Sequence, residues 1–174
     1  EVEYNIKINQ MGFGFRGQSE NTAVIEAAKA YLSTRTVPGD LQAQVSAILA
    51  NEVKARQIEY ATLVGADMRI IASANADRTG EKFDPQGLVS TVLSNPRQIK
   101  ASAIVSWAEL QKEAPPLPEG FLRQDSLIRY TVTPVRDLQT EAVIGVLISG
   151  DVVNSKLPIV RNTLSAFNLS LIHI

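Results

Sequence analysis

The sequence predicts an α+β domain, an antiparallel sheet of about five strands with helices on one side of it, some before it in the chain and one after. Three observations carry this. Residues 127–151, LIRYTVTPVRDLQTEAVIGVLISGD, read as two strands around a polar turn at 136–141. In the first strand Ile128, Tyr130 and Val132 alternate with Arg129, Thr131 and Thr133, the period-two pattern of a half-buried strand rich in β-branched and aromatic residues. The second, 142–148, is apolar at nearly every position, as in a central strand covered on both faces. It ends in Gly150-Asp151, which places a carboxylate at the rim of the sheet.

The elements follow in order. Residues 1–10 fit two patterns: Val2, Tyr4, Ile6 and Ile8 alternate as in a strand, while Tyr4, Ile8 and Met11 share a helical stripe. Residues 12–17, GFGFRG, match G-x-G-x-x-G. A dinucleotide site also needs a second parallel strand carrying an acidic residue about 20 residues on. A break at 34–40 and another helix follow instead, so the segment reads as a kinked connection that binds no nucleotide. Residues 21–33 are helical, with Val24, Ala27, Ala28, Tyr31 and Leu32 at three-four spacing. After Thr36-Val37-Pro38-Gly39, Asp40 is placed to cap a helix that runs to about 57, with Leu41, Val45, Ile48, Leu49 and Val53 on its core side. Residues 59–64 and 68–74 form a hairpin, and 76–83 a polar loop. Asp84-Pro85 reads as a cap and a first helical residue, and Pro96 forces the end of that helix near 94–95. Residues 99–106 read as a strand and 107–112 as a turn of helix. APPLPEG at 114–120 is a stiff loop, since its prolines remove amide donors. A closing helix is expected over 155–167, with Leu157, Val160, Leu164 and Phe167 on one stripe and Pro158 in its first turn.

Composition narrows the function classes. The 174 residues suit one domain, organised as a helical region 1–58, a sheet core 59–153 and a helix with tail 154–174. A formal net charge of −1 gives no footprint for nucleic acid. With no cysteine, a disulfide scaffold, a thiolate nucleophile and thiolate metal sites are excluded. The single histidine is His173, and neither Ser73 nor Ser149 sits in a G-x-S-x-G elbow. The expectation is a non-enzymatic domain without metal or cofactor.

"TPVRD…VIGVLISGDVVN" is similar to the last two strands of the Cache superfamily of extracytoplasmic sensor domains, and "LVGADMRIIASANADRTGEKFD" resembles its opening hairpin and following loop. The resemblance spans roughly residues 43–167. It implies a PAS-like sheet, a C-terminal membrane-directed helix, and a place in the periplasm as part of an inner-membrane receptor, either a histidine kinase or a chemotaxis transducer. It further implies a small-molecule ligand, a homodimer formed through the N-terminal helices, and flanking transmembrane helices outside this sequence. A cytoplasmic PAS- or GAF-like regulatory module is the alternative.

Five ligand-binding candidates arise. Trp107 and Tyr130 offer flat apolar surface with a hydrogen-bonding edge, and Arg129 can clamp a carboxylate. Thr131 lies next to them, and the resemblance puts Asp151 at the position where the family's terminal-strand Asp reaches the ligand or closes the pocket. Arg129 and Tyr130 are neighbours in a strand and therefore face opposite sides, so both cannot line one pocket face, and Tyr130, which shares a face with Ile128 and Val132, reads as the core residue of the two. The Arg-x-Trp-Tyr motif of amino-acid-binding family members is absent, because Val105-Ser106 precede Trp107 and Ala108 follows it.

Overall fold

A computed structural model describes residue 19 and residues 21–153. Two helices, α1 (Thr22–Thr34) and α2 (Gly39–Arg56), lead into β1 (Tyr60–Gly65) and β2 (Ile70–Ser73). A 3-10 turn (Pro85–Gly87) precedes α3 (Leu88–Ser94). Then come β3 (Ile99–Val105), α4 (Trp107–Glu113), β4 (Ser126–Arg136) and β5 (Val143–Val152). The five strands form one antiparallel sheet in the order β2-β1-β5-β4-β3, so the apolar β5 lies at its centre as its sequence requires. The architecture is the expected α+β, PAS-like one. The residues assigned to the N-terminal segment 1–10, the GFGFRG segment and the closing helix 155–167 lie outside those described.

Alternation sends side chains to two separate cores. On the helical face, Ala61, Leu63 and Leu147 of the sheet pack against Val24, Ala27, Ala28 and Tyr31 of α1 and Val45, Leu49 and Val53 of α2. On the opposite, loop face, Tyr60, Val64, Ile128, Tyr130, Val132, Val146 and Ile148 pack under Phe83, Val89, Val92 and Leu110. Helices therefore do not cover one side alone: the long helices take one face, and α3, α4 and their connecting loops take the other.

Asn21 caps α1 through its side chain, which accepts hydrogen bonds from the Ala23 and Val24 amides. Four features differ from expectation in whole or in part. Leu32 is 45% exposed, because the α1 stripe turns it past the edge of the core. Asp40 is not the cap of α2. The helix starts at Gly39, which leaves Asp40 in the first turn, where its charge suits the helix dipole. A side-chain cap contributes about 1 kcal/mol. Val45, Leu49 and Val53 each contribute about 1.5–3 kcal/mol by burial, so packing, not capping, holds α2. Asp84 and Pro85 stand at the cap and in the first turn as expected, but that turn is 3-10, and the Asp84 carboxylate reaches forward to the Val89 and Ser90 amides of α3. Finally, β5 continues through Val152, because β4 begins at Ser126 and offers it partners: Ile128 pairs with Val152 and Arg129 with Asp151. Asp151 is thus inside the sheet and not at its rim.

Candidate functional site

The loop face is built around one cross-strand row. Gly150 of β5 stands between Tyr60 of β1 and Tyr130 of β4. A Cβ at Gly150 would lie 3.0 Å from Tyr60 Cβ and 3.1 Å from Ile128 Cγ2. Its absence lets the two tyrosine rings meet edge to face, with centroids 6.3 Å apart. Both rings are buried, and burial is the main reason both phenols are held well above their ordinary pKa.

Residues between 83 and 93 and between 107 and 121 pack over this face, and a buried arginine ties the loop after β2 to α4. Arg78, from the loop after β2, is 4% exposed. Its guanidinium meets Glu81 at 3.0 Å, Glu109 at 3.4 Å and the fully buried Glu113 at 3.1 Å, and sits 5.2 Å over the Phe83 ring. Glu113 also accepts hydrogen bonds from Ser73 Oγ and Asn75 Nδ2. The end of β2, the following loop and α4 are therefore joined through one carboxylate. Burial opposes the Arg78 charge, but the carboxylates of Glu81 and Glu113 outweigh it and hold its pKa above the usual value. Burial pushes the Glu113 carboxyl up, against the hydrogen bonds from Asn75 and Arg78.

Beside this latch is a cavity of about 260 Å3 between β3, the 82–86 loop and the start of α4, with Tyr130 and Phe83 in its wall. Gln86 has φ 55°, and Gly87, next to it, has φ 69°. Two consecutive left-handed residues are locally strained for the non-glycine member.

The five predicted residues separate by face. Tyr130 is in the cavity wall, and Trp107 opens α4 nearby, stacked on Phe121 with centroids 6.4 Å apart. Arg129, Thr131 and Asp151 alternate with Tyr130 and Gly150 and lie on the helical face. There Arg129 and Asp151 are direct cross-strand partners, with Nη2 and Oδ2 3.5 Å apart and Asp151 buried. Burial draws the Arg129 pKa down, and the Asp151 charge opposes that. Arg78 and Glu113 did not stand out in the sequence. Within 76–83 Arg78 is one charge among several, and only tertiary structure brings it to Glu113. The one local hint is the pair Glu109 and Glu113, four apart on a single helical face.

No family model matches the sequence, and no curated protein matches it. Solved structures do. The sensor domain of the histidine kinase DctB from V. cholerae aligns with 88% of this chain and 56% of its own, at a TM-score of 0.56 and 12% identity. This chain therefore spans just over half the length of that sensor domain. The sensor domain of E. coli DcuS aligns with 70% of this chain and 72% of its own (TM-score 0.44, 17% identity). The periplasmic domain of RsbU from Chlamydia trachomatis aligns with 94% and 58% (TM-score 0.39, 16% identity). The likeness to DctB is one of fold: this chain has the fold of that sensor domain.

Proposed function

We propose that this chain is an extracytoplasmic domain that senses a small molecule for a transmembrane receptor of the histidine-kinase or chemotaxis type. The observation that supports it most is the arrangement of the loop face: a strained loop and a short helix, latched by Arg78, over a cavity on a sheet whose fold is that of the DctB sensor domain. A ligand that prefers one arrangement of the cover shifts the population towards it. Tyr60 and Tyr130 pack directly against β5, whose last residues lead on to the segment that connects with the membrane in this reading. A homodimer formed through the N-terminal helices completes the receptor.

A thermal-shift screen of organic acids, amines, amino acids and neutral polar compounds tests the proposal. A true ligand at about 100 times its Kd adds roughly 2.7 kcal/mol of stability. A full panel without any stabilising compound would count against sensing by this domain. Asp151→Asn is then informative. Its partner Arg129 is on the helical face, so the substitution is expected to lower stability by about 1–3 kcal/mol and to leave affinity for a loop-face ligand unchanged. A 10- to 100-fold loss of affinity, about 1.5–3 kcal/mol, would instead put the carboxylate in contact with the ligand.

A further inference from the structure

We infer that the loop-face cavity takes a small uncharged molecule bearing a hydrogen-bond acceptor, and that the Tyr130 hydroxyl donates to it. This deepens the sensing role proposed above and rests on it.

The polar lining of the cavity comprises Lys82, Asp84, Gln86, Ser106, Glu109 and Tyr130. Its two carboxylates are already in use. Asp84 Oδ1 accepts from the Val89 and Ser90 amides, and its other oxygen from the Ser90 hydroxyl. Glu109 holds Lys112 at 3.0 Å with one oxygen and Arg78 at 3.4 Å with the other. Its donors are not used up. Tyr130 is 2% exposed, and its hydroxyl makes no hydrogen bond to any described residue. Ser106 Oγ accepts from the Glu109 amide, which leaves its own hydrogen free to be donated. Unbonded hydroxyl donors beside committed carboxylates favour a ligand that accepts.

Charge narrows the class further. A cationic ligand finds both carboxylates already engaged. An anionic one faces those same carboxylates with only the exposed Lys82 in the lining to answer them, since Arg78 behind the cavity is already matched by three glutamates. A neutral ligand meets neither cost. The volume equals that of about nine water molecules, enough for one substituted six-membered ring against the Phe83 and Tyr130 walls.

Benzamide, benzoate and benzylammonium share one ring and differ in charge. Each is titrated into the protein and followed by backbone amide chemical shifts. Benzamide is expected to perturb residues 83, 103–106 and 130, with the two ions at least about ten-fold weaker. Tyr130→Phe removes only the hydroxyl and is expected to weaken benzamide by about 2- to 12-fold. Equal or tighter binding of either ion at these residues overturns the neutral class and leaves sensing intact. Unchanged benzamide affinity in Tyr130→Phe overturns the donor role. Shifts elsewhere, or none with any of the three, overturn the cavity as the site, while the broader screen still decides whether the domain senses at all.

Discussion

Val146→Asp is expected to prevent folding. Val146 is fully buried at the middle of β5, paired with Val64 of β1 on one side and Pro134 of β4 on the other. Its side chain belongs to the loop-face core, among Tyr60, Val64, Val132 and Ile148. A carboxylate there loses its water and finds no partner, which costs several kcal/mol even if it takes up a proton. A domain of this size has a total stability of about 5–15 kcal/mol, so most of it is lost. Solubility and thermal unfolding followed by circular dichroism check this. A soluble variant that melts cooperatively near the wild-type temperature would contradict the sheet order in which β5 is central.

Arg78→Met should lose about 3–5 kcal/mol at neutral pH, because it strands the buried Glu113 carboxylate with only the Ser73 and Asn75 donors. The loss depends on pH. Burial already holds the Glu113 pKa above its ordinary value, and removing the guanidinium raises it further. A carboxyl with a raised folded-state pKa binds its proton more tightly folded than unfolded. Its contribution is therefore most favourable below the unfolded value and is lost as pH rises through the folded one. Urea unfolding at pH 5 and pH 8 should show the larger deficit at pH 8. Arg78→Met combined with Glu113→Leu should recover most of the loss, since a well-packed apolar pair often replaces a buried ion pair without penalty. A deficit independent of pH would mean that Arg78 contributes by packing on Phe83 and not by neutralising Glu113.

The strands were legible because each carries a local rule. Period-two alternation in β4 put Tyr130 and Arg129 on opposite faces, and their core partners confirm it. The unbroken apolar run of β5 marked the central strand, and Pro96 marked the end of α3. Other features depend on contacts distant in sequence. Strand length at Asp151 is set by where β4 begins, 25 residues earlier, and no local pattern reports that. The polar loop at 76–83 looked like a solvated connection, because charge in a sequence signals exposure unless its partners are known. Arg78 is buried only because Glu109 and Glu113 arrive from α4. Less of the candidate site was legible: the sequence offers Tyr130 and Trp107 as aromatic residues with polar edges, with Tyr130 reading as core beside Ile128 and Val132, whereas the electrostatic frame near them is assembled by the fold.

Hydrogen exchange with and without the first stabilising compound found in the screen is the most direct measurement of where a ligand of the proposed sensing role binds. Slowed exchange is expected in 76–90 and 103–110, the cover latched by Arg78, with α1 and α2 unchanged. Protection confined to residues 22–56, with the cover exchanging as before, would contradict a ligand site on the loop face.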